Sequence, residues 1–129
     1  HRNKTFNQRK ASGQIPIPDP TEVIHPLVHP RQGEVVVGKH RVNALYGTGL
    51  DVALRANDIR DLIIFGYATS GVVLSTVRYG ADLDYNLIVV EDCCADADAD
   101  VHEFLTQRIF PRQAEVVGSG DLIRALGAM

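Results

Sequence analysis

The sequence predicts an α/β fold, a three-layer sandwich in which helices cover both faces of a mostly parallel sheet. Four short apolar runs, each typical of a strand, alternate along the chain with helical patterns. The first three of these runs are continuously apolar, as expected of strands that are buried on both faces. The connections between them are short, which is typical of parallel α/β units.

The bulk composition narrows the class of protein. The chain has 129 residues, of which 45% are hydrophobic and 22% charged, and this mixture is typical of one globular domain. A net charge of -3 gives no reason to expect nucleic acid or an anionic membrane as a partner. No apolar run approaches the ~20 residues that span a bilayer, and residues 1–10 do not form a secretory signal. We therefore expect a cytoplasmic location.

Prolines divide the chain into two parts. Because proline removes a backbone donor and fixes φ, we expect residues 1–33 to be an extended surface segment of the same domain. A weak signal predicts a short helix over residues 5–11. Residues 34–129 are predicted to form the parallel α/β core. The prolines of the first part are Pro16, Pro18, Pro20, Pro26 and Pro30.

The predicted elements of the core follow one another in order. Strands are predicted at residues 35–38, 62–66, 87–90 and 114–117, and helices at 49–56, 71–82, 98–109 and 120–126. The hydroxyl of Thr69 or Ser70 is expected to cap the second of these helices. No glycine fingerprint of the dinucleotide-binding type is present.

Lys39 is the first candidate site residue. In open parallel sheets ligands bind beyond the carboxyl ends of the strands, and Lys39 directly follows the first predicted strand. A lysine there stabilises a developing negative charge or holds an anionic substrate. The alternative is a solvated lysine at the end of a strand.

The second candidate is the turn after the second predicted strand, residues 67–71, which is built largely from small residues. Backbone N–H groups at the start of a helix form a natural site for an anion or an oxyanion. The alternative is an ordinary capped helix start, and the turn pattern does not separate the two. The candidate residues are Tyr67, Ala68, Thr69 and Gly71.

Cys93 and Cys94 are the third candidate. Adjacent cysteines do not close an unstrained disulfide and do not form a zinc site by themselves, so we expect reduced thiols. A nucleophilic cysteine needs a base, for which His102 is available. The favoured interpretation is two small apolar residues that close a strand.

Two further clusters suggest metal ions, but neither predicts a metal site. Asp96, Asp98 and Asp100 lack the glycine and the terminal glutamate of a calcium loop, and an acidic helix start explains them better. His25 and His29 have no third ligand. We expect no metal and no cofactor.

Three ordered segments resemble the isochorismatase-like (cysteine hydrolase) superfamily. They are VVGKHRVNALYGTGL at residues 36–50, GYATSGVVLSTVR at 66–78, and EDCCAD at 91–96 followed by His102. The resemblance covers roughly residues 2–126, including RNKTF at 2–6. It implies a Rossmann-like topology, commonly in a dimer or tetramer.

The resemblance also implies a catalytic set of aspartate, lysine and cysteine. Lys39 matches the lysine, whereas the position of the nucleophile is occupied by Val72. The aspartate belongs to an N-terminal strand that precedes the first residue, and Asp19, in the proline-rich segment, does not replace it. The resemblance further implies a cis peptide bond between Tyr67 and Ala68, which in relatives turns backbone N–H groups toward an oxyanion.

These observations predict a hydrolase-family protein that, in its full-length form, acts on a small anionic or amide substrate. Without a thiol at Val72 the chain as given is expected to be inactive as an amidase. A cysteine-free acid mechanism remains open, since isochorismatases proper hydrolyse a vinyl ether. The alternatives are an inactive binding or scaffold homologue and a redox-reactive thiol at Cys93 or Cys94. Because a missing strand would expose sheet edges, we expect homo-oligomers or a further N-terminal portion.

Overall fold

The computed structural model describes residues 3–13 and 24–128 of the chain. These residues form five α-helices and three β-strands, together with short 3₁₀ and π-helical segments. The chain divides into two compact units, residues 1–36 and residues 37–129. Helix α1, Lys4–Ala11, belongs to the first unit, and all other α-helices and strands belong to the second.

Local hydrogen bonds stabilise the described residues of the first unit. Helix α1 begins after Asn3, whose side-chain oxygen accepts a hydrogen bond from the Phe6 N–H at 3.1 Å. This confirms the predicted short helix. A single 3₁₀ turn, Pro26–Val28, follows His25, whose Nδ1 accepts from the Leu27 N–H at 3.2 Å. Residues 14–23 and Arg2 lie outside the described residues. The first of these ranges contains Pro16, Pro18, Pro20 and Asp19.

The second unit is built on a parallel sheet with the strand order β1-β2-β3. Both neighbouring pairs are parallel, so β2 lies between the other two strands. The predicted α/β class with a parallel sheet is confirmed. The strands are β1, Asp61–Tyr67; β2, Asn86–Ala95; and β3, Glu115–Val117; the helices are α2, Leu50–Ala56; α3, Leu74–Asp82; α4, Ala99–Phe104; and α5, Ser119–Gly127.

The core packs around the central strand. Val89 and Phe110 have no exposed surface, and Leu87 is 5% exposed. Val73 and Val77, on the helix that follows β1, belong to the same buried cluster. Burial of apolar side chains of this kind supplies most of the favourable free energy of folding. The core therefore fixes the helix after β1 against the sheet.

The strand predicted at residues 35–38 does not form. This stretch has no regular secondary structure, and Val35 and Val36 are 67% and 50% exposed. An apolar run becomes a strand only where another strand satisfies its backbone hydrogen bonds. Within the described ranges 3–13 and 24–128, no strand pairs with it. That prediction is wrong.

The prediction that the second apolar run is buried on both faces is also wrong. Strand β1 alternates between exposed and partly buried residues along its whole length. Ile63, Phe65 and Tyr67 are 41%, 61% and 69% exposed. The strand lies at the edge of the described sheet. One face packs on the core and the other is left open.

Strand β2 is longer than predicted, and its pairing with β1 contains a bulge. Ile64 pairs with Val89 and Gly66 pairs with Cys94, so the register shifts between the two pairs. A bulge of this kind bends a strand and changes where its end points. Gly66 has φ +131°, a value that favours glycine. Among the described helices, none is long and apolar enough to cross a membrane.

Candidate functional site

The turn after β1 begins the candidate site. The peptide bond between Tyr67 and Ala68 is cis, as the resemblance implies. A π-helical segment, Thr69–Val73, follows and continues directly into α3. The Ala68 carbonyl accepts hydrogen bonds from the N–H groups of Gly71 at 3.0 Å and Val73 at 3.3 Å. Val72 is thereby placed in the first turn of a continuous helical stretch.

A carboxylate from another part of the chain caps this turn. The Ser70 N–H donates to Asp96 Oδ2 at 2.6 Å. This bond, together with the Ser70 side chain, lowers the pKa of Asp96. The capping residue is Ala68, with no side-chain cap, so the prediction of a cap by the Thr69 or Ser70 hydroxyl is wrong. The acceptor is Asp96, which lies 26 positions away in the chain.

Thr69 and His102 form a second link to the turn. Thr69 has no exposed surface, and its Oγ1 lies 2.8 Å from Nδ1 of His102. Sequence reasoning missed this pair, because the two residues are 33 positions apart, Thr69 in a predicted turn and His102 in a predicted helix. His102 Nδ1 is thus engaged with a hydroxyl. This contact does not support a role for that atom as the base of a cysteine.

Val72 lines a cavity of about 320 Å³ in the second unit. The lining is apolar apart from Thr76, whose Oγ1 accepts from the Ala44 N–H at 3.1 Å. Side chains of β1, α2 and the start of the helical stretch form its walls. Such a cavity suits the uncharged part of a small molecule. It includes Leu50, Leu54, Leu62, Ile64, Val72 and Val73.

Asn43 anchors the chain segment that precedes α2. Asn43 is 8% exposed, and its Nδ2 donates to the Ser75 carbonyl at 2.6 Å. Its Oδ1 accepts from the N–H groups of Leu45 at 2.7 Å and Tyr46 at 2.8 Å. The buried amide therefore uses both of its polar ends. It holds an irregular segment against α3, beside the cavity.

Lys39 is not brought into this cavity. Its side chain is exposed, and its Nζ donates to the Arg41 carbonyl at 3.2 Å. Among the described residues that line the Val72 cavity, Lys39 is absent. The strand that was expected to aim Lys39 at the crevice does not form. Its catalytic or anion-binding role stays a prediction.

The two cysteines have different surroundings. Cys94 is 8% exposed and belongs to the buried core cluster, and burial raises the pKa of its thiol. Cys93 is exposed, and both thiols are free. For Cys94 these observations support the interpretation of a small apolar residue in the strand.

Two acidic residues, Asp92 within β2 and Asp98 after it, accept hydrogen bonds from backbone N–H groups at the starts of helices. Asp98 accepts from the N–H groups of Asp100 at 3.0 Å and Val101 at 3.2 Å, which confirms an acidic helix start. Asp92 accepts from the N–H and the hydroxyl of Ser119, at 2.8 and 2.6 Å, and its pKa is lowered, mainly by the hydroxyl bond. In the described part of the chain, no three histidine, cysteine or acidic residues are arranged to hold a metal ion.

The comparisons with known proteins agree on one family. Residues 1–121 match the family model described as isochorismatase domain. The chain is 30% identical to the isochorismatase family protein YecD of Escherichia coli O157:H7, over 87% of this chain and 63% of that protein. It is 37% identical to the ureidoacrylate amidohydrolase RutB of Acinetobacter baylyi, over 54% of this chain and 29% of RutB. It is 29% identical to the maleamate amidohydrolase of Pseudomonas putida, over 77% of this chain and 46% of that protein.

Solved structures show the same likeness. An isochorismatase family protein from Burkholderia thailandensis has a TM-score of 0.77 and 36% identity, covering 80% of this chain and 54% of that chain. A cysteine hydrolase from Pseudomonas syringae has a TM-score of 0.87 and 25% identity, covering 98% of this chain and 65% of that chain. N-carbamoylsarcosine amidase from Thermoplasma acidophilum has a TM-score of 0.65 and 32% identity, covering 75% of this chain and 55% of that chain. The chain spans less than two thirds of each of these relatives.

Proposed function

The chain belongs to the isochorismatase family, and on that basis we propose that it carries the substrate-binding turn of a hydrolase for small amide substrates. The observation that supports this proposal is the place of Val72, which follows β1 and its turn and lines the 320 Å³ cavity. Relatives named as amidohydrolases of ureidoacrylate and maleamate support the same substrate class.

The chemistry of position 72 limits the reaction. A cysteine thiolate attacks an amide carbonyl and forms a covalent intermediate, whereas the isopropyl side chain of Val72 has no lone pair to donate. We propose that the substrate binds with its uncharged part against the apolar wall beside Val72. Lys39 is proposed to hold an anionic group of the substrate. In a vinyl ether hydrolysis of the isochorismatase type, an acid would replace the thiol.

A catalytically silent binding homologue is the second candidate. Val72 favours it directly, because the turn keeps its place after β1 while position 72 offers no nucleophile. Such a protein would bind the same small amides without turning them over. We further propose homo-oligomers, since β1 lies at an edge of the described sheet, where a second copy of the chain could pair with its backbone. A monomer by light scattering would contradict that part.

Substitution of cysteine for Val72 tests whether the site is otherwise intact for amide hydrolysis. We expect the unmodified 129-residue chain to bind maleamate, ureidoacrylate, N-carbamoylsarcosine or nicotinamide in calorimetry without releasing ammonia. Val72→Cys supplies one member of the catalytic set, and release of ammonia from at least one of these compounds would show that the site is otherwise intact. Val77→Cys, which makes the same change at a core position of α3, is the matched control.

Each outcome of this experiment has a meaning. Turnover by Val72→Cys, but not by Val77→Cys, supports the hydrolase site. Binding without turnover in Val72→Cys supports the silent homologue. Absence of both binding and turnover with all four compounds contradicts the proposed substrate class.

A further inference from the structure

Two residues that follow β2 hold the turn that follows β1. Asp96 Oδ2 accepts from the Ser70 N–H at 2.6 Å, and His102 Nδ1 lies 2.8 Å from Thr69 Oγ1. The two contacts reach consecutive residues of the turn from separate points, one just before α4 and the other within it. Such an arrangement fixes both the position and the direction of the chain that leads to Val72.

The burial of Thr69 gives weight to its contact with His102. Thr69 has no exposed surface, so its hydroxyl needs a partner inside the protein, and His102 supplies one. His102 itself is held by α4, whose start is capped by Asp98. The Asp96 contact is charge-assisted, because a carboxylate accepts from a backbone N–H.

We propose that Asp96 and His102 are positioning residues of the amide site, acting through Ser70 and Thr69 on the place of residue 72. This inference rests on the proposed function only in taking position 72 to face the substrate. Neither residue is assigned a chemical step. Their contribution is to keep the turn in one arrangement, which a reacting group at position 72 requires.

The chain contains a matched control for Asp96. Asp92 makes the same kind of contact at the start of α5, where it accepts from the N–H and hydroxyl of Ser119. Both carboxylates cap a helical stretch with a backbone N–H bond, and both have a lowered pKa. Only Asp96 touches the turn before Val72. A general loss of helix capping is therefore distinguishable from a loss of positioning.

A thiol at position 72 serves as the reporter. In the 129-residue chain carrying Val72→Cys, the alkylation rate of Cys at 72 by iodoacetamide is measured against pH, with each cysteine resolved by peptide mass analysis. Val72 is half-buried, so a loosened turn exposes this thiol. We expect Asp96→Ala and His102→Leu each to raise the rate about tenfold, the factor for one lost hydrogen bond.

Conservative variants test whether the contacts themselves matter. Asp96→Asn keeps an oxygen acceptor for the Ser70 N–H, and His102→Asn keeps a polar atom near Nδ1. We expect both to stay within about twofold of the parent rate, because the hydrogen bonds are retained. Asp92→Ala is expected to leave the rate and its pH profile unchanged.

An unchanged rate in both Asp96→Ala and His102→Leu would overturn the proposal, as would an equal rise in Asp92→Ala. If His102→Leu does not fold, Thr69→Val replaces it in the experiment, because that change removes only the hydroxyl of the same contact. If Asp96→Ala does not fold, the result with the His102 or Thr69 variant decides. Alkylation needs no substrate. A failed hydrolase proposal, seen as no ammonia from Val72→Cys, thus leaves this test readable.

Discussion

Strands β1 and β2 have similar apolar sequences but different surroundings. LIIF in β1 and LIVV in β2 are both continuous apolar runs. In β2, Val89 and Val90 are 0% and 1% exposed, whereas in β1 Phe65 is 61% exposed. The central strand has neighbours on both sides, and β1 has one in the described sheet. The composition of a strand therefore indicates that it can be buried, and its place in the sheet decides whether it is.

The largest expected difference between the two strands is in stability. Leu87→Ala in β2 removes a buried side chain and leaves a cavity, so we expect a loss of about 3 kcal/mol in the free energy of unfolding. Ile63→Ala in β1 removes an isomeric side chain that is 41% exposed, and we expect a loss of about 1 kcal/mol or less. Urea unfolding of both variants measures the difference. Equal losses would contradict the contrast between the strands.

The segment that ends β2 is expected to give the protein an acid-sensitive component of stability. The folded-state pKa values of Asp92 and Asp96 are lowered by their hydrogen bonds to Ser119 and Ser70. Their contribution is fully present above the unfolded pKa of about 3.9 and is lost as the pH falls through the lower folded value. We expect Asp92→Asn and Asp96→Asn to flatten the decline of the urea midpoint below about pH 4. If the urea midpoints of the two variants fall with pH in parallel with that of the unmodified chain, the two carboxylates do not supply this acid-sensitive stability.

The smallest effect concerns the two thiols at the bulge of β2. Cys93 is exposed and Cys94 is buried, and burial raises the pKa of the Cys94 thiol, so Cys94 is the less accessible of the two. We expect iodoacetamide to modify Cys93 at least about tenfold faster in the native chain. Peptide mass analysis measures both rates, and unfolding in urea should make them similar. Equal native rates would show that Cys94 is reactive, which favours the redox hypothesis.

Local pattern was sufficient for most elements of the second unit. The helices α2 and α5 and the strands β1 and β3 lie close to their predicted ranges, because each is marked by its own apolar pattern. Strand β2 begins within one residue of its predicted start but runs beyond its predicted end. The family and the turn before Val72 followed from ordered segments of sequence. These predictions depended on residues close together in the chain.

The wrong predictions depended on distant neighbours. Residues 35–38 have strand composition but no strand beside them in the described chain, and the open face of β1 follows from its edge position. The cap of the helical stretch came from Asp96 rather than from the adjacent Thr69 or Ser70. The contact between Thr69 and His102 has no local signal at all. Sequence spacing does not reveal which side chains meet across a fold.

Asn43 shows how a stretch without helix or strand can still be well determined. One buried amide satisfies a carbonyl of α3 and two N–H groups of its own segment. A single short side chain thus replaces the repeated ladder that a strand would use. Exchange of this residue for leucine of similar size would leave three backbone groups without their partner, so shape alone cannot stand in for it. The approach to α2 is therefore fixed by three hydrogen bonds of one side chain, although it forms neither helix nor strand.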